Sequence, residues 1–453
     1  AGVGALVVQG DAGGAATNIN INAAVTTGGT QTYTGPVNVG ASVALTGSSH
    51  TFSSTVGLGA NTLTLSNTGT TTISTVIDGT GGITKTGVGT LVLSGTNTYT
   101  GTTTISAGTL TLQGGSAIED TADIIMASGA AILDIDATET IDRLDTVAGD
   151  VVNLDASLTL NQGTVFGVVQ GTGGLTKETA GSLTLRGTNT YSGATTLNGG
   201  TTVSQNATAL GDGSATNTLI FGAGGANLQI STADVTSPAA RGVTLTGTGT
   251  ITTDSGRAIS IAGVITGAGA LQKNGAGTLT LTGTNTYTGT TTINQGILNA
   301  NSSAAIGDGS ATNTLIINGG ATLQAGGNIS SPAARNVFLN AGTAIIDTNG
   351  NSVTIDGIIS MGGALTKQGT GTLTLTGANT FTGAVAINAG VINAQHNTAL
   401  GTIAGGVTVA NGAALELQGG IAIGAEALSL SGSGIGATGA LLNVSGFNSY
   451  AGD

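Results

Sequence analysis

The feature that most constrains this chain is a segment that occurs four times. It reads GTLVLSGTNTYTGTTTI at 89–105, GSLTLRGTNTYSGATTL at 181–197, GTLTLTGTNTYTGTTTI at 277–293 and GTLTLTGANTFTGAVAI at 371–387. A shorter copy, GTQTYTG at 29–35, contains Tyr33, and a more divergent copy, ALLNVSGFNSYAGD, occupies 440–453. Self-similarity at a fixed period predicts a repeat architecture in which each unit packs on its neighbours. The aromatic positions, 92, 96 and 94 residues apart in the four full copies, are predicted structural anchors: Tyr99, Tyr191, Tyr287, Phe381 and Tyr450.

The composition favours β-structure. Only 7% of the 453 residues are charged and 81 are glycine, with a mean hydropathy of +0.32. A solvated disordered chain needs higher net charge and lower hydrophobicity. Good helix formers are sparse, and Thr, Val, Ile and Leu alternate with small or polar residues, which indicates strands. The absence of cysteine excludes disulfides and thiolate sites.

The local pattern predicts short strands wound into a coil. In TLTLT at 278–282, Leu279 and Leu281 face one side and the threonines face the other. Glycine or asparagine ends each run after about five residues, where a turn needs positive φ. Strands this short bury an apolar face only by coiling, so that each rung of three short strands stacks on the next. We therefore predict an all-β chain, a parallel β-solenoid of about 20 short-strand rungs with roughly 20 residues in each.

The spacing predicts a single continuous solenoid over 1–453. Its repeat units are approximately 79–170, 171–266, 267–359 and 360–435, with partial units at 1–78 and 436–453. An array of β-sandwiches of about 94 residues is the alternative fold. The outer aromatic steps of 66 and 69 residues disfavour it, because a sandwich does not tolerate the loss of part of a unit.

The repeated motif resembles a known family. The segments Gly81–Leu112, Gly173–Val203, Gly269–Leu298 and Gly362–Ile392, each built on a GTLTLTGTNTYTGTTTI-like core, are similar to the autotransporter-associated β-strand repeat of Gram-negative passenger domains. That resemblance implies a right-handed parallel β-helix exposed outside the cell, most often serving adhesion or aggregation. It also leaves open that the chain is a fragment of a longer passenger.

All four lysines occupy one position of the motif. Each lies two residues after an apolar residue, and they are Lys85, Lys177, Lys273 and Lys367. We predict that they are structural repeat anchors, each a solvated residue at a strand end. The alternative is a spaced row of cations that binds an anionic surface or a sugar, although four isolated charges make a poor basic patch.

The acids are unevenly placed, since ten of 22 lie between Glu119 and Asp155. Asp134 and Asp136 are expected on one face of a strand. A solvated acidic face is the main interpretation. A calcium site is the alternative, but no EF-hand loop or GGxGxD series is present. No metal or cofactor is predicted, and the net charge of −13 argues against nucleic-acid binding.

Catalytic signals are weak. His50 and His396 are isolated in the sequence and are expected at the surface or at corners. GDGS occurs at 211–214 and again at 307–310, so a turn is the better interpretation than a nucleophile or phosphate loop. An enzyme acting on polysaccharides is a minor alternative, with Arg143 the only cation of the acidic segment. Ice binding by threonine ladders is disfavoured, because the densest copy returns only every four or five rungs.

The two ends of the sequence are nearly in phase. GALVVQG at 4–10 matches GTLTLQG at 108–114, and joining the ends of two copies would place Tyr450 and Gly4 seven residues apart, against nine in the intact repeat. Unpaired strand edges recruit other chains. We therefore predict head-to-tail association through a junction containing Gly4, Leu6, Val8, Val444 and Tyr450. The alternative is an excised passenger segment.

Together these observations predict a non-catalytic structural rod on the outer surface of a Gram-negative bacterium. Its expected partners are further copies of itself or a surface or host receptor, with no nucleic acid and no membrane insertion by this chain. The alternative function is a passenger scaffold whose specific activity lies in another part of a larger protein.

Overall fold

The computed structural model describes residues 4–9, 18–206 and 208–452. The chain divides into two compact units, Ala1–Leu219 and Ile220–Asp453. The described residues form short β-strands, two short 3-10 segments and no α-helix. The prediction of an all-β chain is confirmed.

Unit 1 contains the first 25 strands. They are β1 Leu6–Val8, β2 Ile19–Ile21, β3 Val25–Thr26, β4 Gln31–Tyr33, β5 Val37–Val39, β6 Val43–Gly47, β7 His50–Phe52, β8 Val56–Gly57, β9 Leu63–Asn67, β10 Thr70–Ile73, β11 Ile77–Asp78, β12 Ile83–Lys85, β13 Thr90–Leu93, β14 Thr103–Ile105, β15 Thr109–Leu112, β16 Asp123–Met126, β17 Ile132–Ile135, β18 Glu139–Thr146, β19 Val151–Leu154, β20 Leu158–Val165, β21 Val168–Gly171, β22 Leu175–Lys177, β23 Ser182–Leu185, β24 Thr195–Leu197 and β25 Thr201–Ser204.

Strand β26, Leu219–Phe221, spans the division between the units, and unit 2 contains the rest. They are β27 Ala226–Ile230, β28 Val235–Ser237, β29 Val243–Leu245, β30 Gly249–Thr253, β31 Ala258–Ile261, β32 Ile265–Thr266, β33 Leu271–Asn274, β34 Thr278–Leu281, β35 Thr291–Ile293, β36 Ile297–Ala300, β37 Leu315–Ile317, β38 Thr322–Ala325, β39 Ile329–Ser331, β40 Val337–Leu339, β41 Thr343–Asp347, β42 Val353–Ile355, β43 Ile359–Ser360, β44 Ala364–Gln368, β45 Thr372–Leu375, β46 Val385–Ile387, β47 Gly390–Ala394, β48 Val407–Val409, β49 Ala413–Gln418, β50 Ala422–Ile423, β51 Leu428–Leu430, β52 Leu441–Ser445 and β53 Ser449–Tyr450, with the 3-10 segments Ser303–Ile306 and Ile435–Ala437.

The strands of each unit pair in parallel with the strand one turn away. In unit 1 one sheet runs β1-β4-β7-β10-β13-β15-β17-β19-β21. Its register places identical residues of neighbouring turns side by side, as in Leu91 beside Leu110 and Leu93 beside Leu112. In unit 2 the sheet β39-β42-β45-β47-β49-β52 is built in the same way. Parallel pairing at a displacement of one turn defines a β-solenoid, which confirms the predicted architecture. The described residues form about 21 turns.

The third side of most repeat turns differs from the prediction of three strands. The tyrosine segment is not a regular strand, although it still stacks by backbone hydrogen bonds. Thr98 N donates to Ile77 O at 2.9 Å, and Thr100 N donates to Gly79 O at 3.0 Å. Each repeat turn therefore has two strands and one extended corner segment.

The core follows the predicted alternation. In β34, Leu279 and Leu281 are fully buried, while Thr278 and Thr280 are half-buried on the outer face. The stacked leucines and isoleucines of successive turns fill the interior, where each contributes about 1.5–3 kcal/mol of transfer free energy.

Two strands of unit 1 break the repeat. β18 and β20 are eight residues long and run straight through the position where the other turns bend. The first half of β20 pairs with β22 and its second half pairs with β23. As a result Lys177 continues the column of Leu160 and Ile141. Lys85 belongs to a different column, that of Ile105 and Met126.

Candidate functional site

The motif lysines are buried inside corners of the solenoid. Their exposed fractions are 0–1%. Lys273 Nζ donates to Asn274 O at 2.8 Å, to Gly275 O at 2.7 Å and to Gln295 O at 3.1 Å. The first two carbonyls belong to its own turn and the third belongs to the next. Lys367 repeats the pattern with Gln368 O, Gly369 O and Ala389 O.

The same corner occurs in unit 1. Lys85 Nζ donates to Gly87 O and, at 3.3 Å, to Ala107 O. Lys177 Nζ donates to Thr179 O and, at 3.3 Å, to Gly199 O. Gly108 has φ 71°, and a Cβ placed on it would lie 2.8 Å from Lys85 Nζ. The corner therefore requires glycine in the turn above the ammonium group.

Two expectations for the environment of the lysines, solvation at a strand end and an external row of cations, are wrong. The side chains are not solvated, because turns too tight to pair their own carbonyls leave a buried acceptor set that an ammonium group satisfies. They do not form an external row either, since Lys85 and Lys177 lie in different columns of unit 1. In unit 2, Lys367 pairs with Ile346 in the β41 column, which does not contain Lys273.

Burial shifts the pKa of these lysines. Desolvation lowers the pKa of Lys85, Lys273 and Lys367 from the usual 10.5 to about 8. It also lowers the pKa of Lys177, where Glu178 and Asp142 act in the opposite direction. The charged form is thus costly in the interior even though its hydrogen bonds are made.

A buried asparagine, which sequence reasoning missed, joins three successive turns. Asn285 Oδ1 accepts from Ile265 N at 2.8 Å in the turn below, and Asn285 Nδ2 donates to Ala305 O at 2.6 Å in the turn above. The same two contacts are made by the asparagine two residues before each aromatic anchor: Asn97, Asn189, Asn285 and Asn379. Its recurrence in the NTY or NTF triplet was the signal available in the sequence.

The aromatic anchors are buried beside a matched partner four residues later. Tyr99 Oη lies 2.7 Å from Thr103 Oγ1, and Tyr287 Oη lies 2.6 Å from Thr291 Oγ1. Thr291 Oγ1 donates to Ile306 O, so the tyrosine hydroxyl is the donor to Thr291. Where the fourth copy has Phe381 in place of tyrosine, Val385 stands in place of threonine. The hydroxyls are present together or absent together, as burial of a polar group requires.

The outer anchors differ from this pattern. Tyr33 is buried, donates to Gln31 Oε1 at 2.8 Å and stacks on Phe52 at 5.2 Å between ring centroids. Tyr450 is half-buried, and its buried hydroxyl has no hydrogen-bond partner among the described residues. Beside it, Glu426 is 2% exposed, and desolvation raises the pKa of that carboxyl to about 7.

The acidic segment divides into outward and inward groups. Asp134 and Asp136 share the outward face as expected, with Asp134 accepting from Asn153 Nδ2 and Asp136 from Gln113 Nε2. The expectation of a wholly solvated acidic face is wrong at Glu139 and Asp150, which are buried.

These two carboxylates accept backbone N–H groups. Glu139 accepts from Ala117 N and Ile118 N at 3.2 and 2.9 Å. Asp150 accepts from Ala131 N and Val147 N at 3.0 and 2.9 Å. Both therefore satisfy corner donors, while the lysines satisfy corner acceptors.

The histidines and the GDGS turns are structural. His50 is 2% exposed, contrary to the expectation of a surface position, because it fills the interior beside Thr71 Oγ1 at 3.3 Å. Burial lowers the pKa of His50 to about 4. His396 accepts from Thr398 N in an outer turn. GDGS at 211–214 and 307–310 forms turns as expected, with positive φ at Gly211 and Gly307.

The burial of Arg335 was also missed. Arg335 is 1% exposed, and its guanidinium donates to Asn313 Oδ1 at 2.7 and 3.0 Å and to Gly307 O at 3.0 Å. It also bonds to Ser303 in the 3-10 segment. The only cation of the acidic segment, Arg143, is exposed and pairs with Asp145 at 2.6 Å.

Within the described residues, no group of three or more His, Asp or Glu side chains is placed to hold a metal ion. The same residues contain no helix that is long and apolar enough to cross a membrane. The four buried lysines and the carboxylates of Glu139 and Asp150 are used to satisfy backbone atoms of the turns.

The five residues of the predicted junction are described by the structure, but the chain ends that the junction would join are not. Gly4 is exposed, and Leu6 and Val8 are half-buried in β1. Val444 is 48% exposed in β52. Ala1 and Asp453, across which the junction would run, and Gly10 of the matching segment lie outside the described residues.

The fold and its corners define a class of protein: a parallel β-solenoid built from passenger-type repeats. Four segments, 83–112, 175–203, 271–300 and 365–394, match the family model described as Passenger-associated-transport-repeat. The chain is 33% identical over 398 residues to the "Adhesin BmaC autotransporter" of Brucella suis biovar 1 (strain 1330). This match covers 81% of the chain and 11% of that relative. No solved structure matches the chain significantly.

These comparisons confirm the resemblance to autotransporter passengers. Each family match contains one lysine corner and one aromatic anchor, so the segment that matches the family includes the corner described above. Passengers of this class are exported, which places the chain outside the cell, at the outer surface of a Gram-negative bacterium. The chain spans about a tenth of the length of the relative that it matches.

Proposed function

We propose that this chain is a β-solenoid segment of a bacterial surface adhesin and that its outward side-chain ladders make the adhesive contacts. The observation that carries the proposal is the similarity to an adhesin autotransporter over 81% of the chain, together with four passenger repeats. The partner is a receptor on a host or other surface.

The interior supports a mechanical role. Each repeat contributes a buried lysine, asparagine and aromatic ring to the interior, and the polar atoms of the lysine and the asparagine bond to backbone groups of neighbouring turns. Contacts of this kind stiffen a stack without creating a reactive centre. We therefore propose that the chain is non-catalytic, against the alternative of an enzyme acting on polysaccharides.

Adhesion can be measured with beads coated with the purified chain and applied to host cells. We expect the coated beads to attach, and soluble chain to compete with them. Beads carrying the urea-unfolded chain are the matched control, because they present the same composition without the ladders. Attachment no greater than that of uncoated beads would contradict the proposal.

Self-association is a second proposed function. Within the described residues, β1 pairs only with β4 and β52 pairs only with β49, so each strand has one unpaired backbone edge. Unpaired edges are templates for another strand, and a head-to-tail contact of this kind produces open filaments. Light scattering over a wide concentration range tests it: a mass that rises with concentration is expected, and a constant monomer mass would exclude it.

A further inference from the structure

One outward face of unit 2 carries a ladder of asparagine side chains. Asn274 ends β33, and the other three residues directly follow β35, β37 and β40. Asn294 Nδ2 donates to Asn274 Oδ1 at 2.7 Å, Asn318 Nδ2 to Asn294 Oδ1 at 2.5 Å and Asn340 Nδ2 to Asn318 Oδ1 at 2.6 Å. The four amides thus form one hydrogen-bonded column that spans four turns.

This column retains unused hydrogen-bonding capacity. A side-chain amide has two N–H donors and an oxygen with two acceptor sites. The ladder uses one donor and one acceptor of Asn294 and of Asn318. All four side chains are half-buried, so they remain in contact with solvent. The face therefore offers alternating donors and acceptors at the spacing of the strands, about 4.8 Å.

An apolar column lies beside the amides on the same face. Ile316 pairs with Phe338 in the parallel register of β37 and β40. Each lies two residues before an asparagine of the ladder, Asn318 or Asn340, which places it on the same side of the sheet. Both apolar side chains are half-buried. The neighbouring outward positions, Gln272 and Thr292, are uncharged as well, although the chain as a whole carries a charge of −13.

Stacking of the turns does not require this ladder. The first repeat has Thr86, Ser106 and Ala127 at the positions of Asn274, Asn294 and Asn318, and its strands pair in the same register. The position of Phe338 is Thr244 in the preceding copy of that turn. The amide and aromatic columns are additions to a fold that forms without them.

We infer that this face of unit 2 binds a neutral glycan chain that lies along the stack of turns. The inference rests on the proposed adhesive function and names the class of its ligand. Sugar hydroxyls both donate and accept hydrogen bonds, which matches the unused groups of the amides. The C–H face of a sugar ring packs on an aromatic ring, as Phe338 provides. The absence of charge on these columns selects neutral over anionic glycans.

The test uses the full chain on an array of neutral linear glucans and galactans, with heparin as the anionic comparison. Phe338→Thr and Asn318→Ala install residues that the chain itself has at equivalent positions, so folding is preserved. We expect binding to neutral glycans, insensitive to salt, and a loss of about tenfold in affinity for each variant. The matched control is Asn198→Ser in unit 1, where Asn198 pairs with Glu178 at 2.7 Å; it should bind like the parent.

Three results would overturn the inference: no binding to any neutral glycan, stronger binding to heparin, or unchanged affinity in both variants. The bead assay separates this failure from failure of the adhesive function. If Phe338→Thr and the parent attach to cells equally, the chain is an adhesin that uses another face. If the parent does not attach, the proposed function itself fails.

Discussion

Two kinds of turn in unit 1 satisfy unpaired backbone groups at their corners with side chains of opposite charge. The turn after β22 bends tightly at 178–181, and the buried Lys177 donates to the carbonyls that the bend leaves unpaired. The preceding turns run straight through β18 and β20 and have no lysine. There the buried carboxylates of Glu139 and Asp150 accept backbone N–H groups.

The comparison shows that charge in this interior follows the unpaired backbone atoms. A tight corner exposes carbonyls and takes a cation, whereas a corner that presents N–H groups takes an anion. The straight strands also change which strand column the next repeat continues, so Lys177 lies in a different column from Lys85. Within unit 1, an irregular pair of turns therefore changes the direction in which the following repeat presents its outward side chains.

The largest expected effect tests whether a buried carboxylate is tolerated only where backbone N–H groups are available to donate to it. Leu281 is fully buried with no spare backbone donor in its strand, in contrast to Asp150. Leu281→Asp should lower the free energy of unfolding by about 3–5 kcal/mol. The outward Thr280→Asp is the control, with a change within about 0.5 kcal/mol. Equal midpoints of urea unfolding for the two variants would contradict the inward assignment.

The next prediction concerns pH. The pKa of Lys273 is about 8 in the folded chain and 10.5 when exposed, so between these values the unfolded chain binds more protons. The free energy of unfolding should therefore rise with pH from about 8 to about 10, by on the order of 2 kcal/mol for this lysine. Above that range it should fall, because burial raises the pKa of Tyr287 and the unfolded chain loses the phenolic proton first.

Urea unfolding at a series of pH values checks this slope. Lys273→Met removes the titrating group, so its curve should be flatter than that of the parent between pH 8 and pH 10. A parent curve that falls across this window would show that the lysines are not held in the interior.

A single lysine corner can be broken directly. Lys177→Met keeps the length of the side chain but leaves Thr179 O and Gly199 O without their donor, and we expect a loss of about 1–3 kcal/mol. Arg143→Met, at an exposed ion pair in the acidic turns, should cost no more than about 0.5 kcal/mol. A smaller effect at Lys177 than at Arg143 would reverse the comparison of the two kinds of turn.

The smallest effect concerns the matched hydroxyls of the aromatic corner. Tyr287→Phe and Thr291→Val should each cost about 1 kcal/mol, because each leaves the other hydroxyl short of a partner. The double variant reproduces the Phe381 and Val385 pair of the fourth repeat and should cost less than the sum of the single changes. Strict additivity in thermal unfolding would show that the two hydroxyls act independently.

Much of the fold could be predicted because it depends on local periodicity. Alternation in TLTLT determines which leucines face inward, and glycine at the ends of the runs determines strand length, so the burial of Leu279 and Leu281 was predictable. The recurrence of the motif likewise predicted parallel stacking. The prediction of a third strand was wrong at the corner segment around Tyr99, since hydrogen bonds to the turn below hold this segment extended without a regular strand.

The role of the polar residues depended on contacts about 20 residues away. The sequence around Lys85 predicts a solvated residue at a strand end, because its partner Ala107 O comes within reach only when the next turn stacks above it. Asn285 and Asp150 are buried for the same reason, since each bonds to backbone atoms of a neighbouring turn. The sequence by itself determined the period, the inward face and the strand lengths. The tertiary structure decided which charges are buried and which face each repeat presents, because both depend on how one turn stacks on the next.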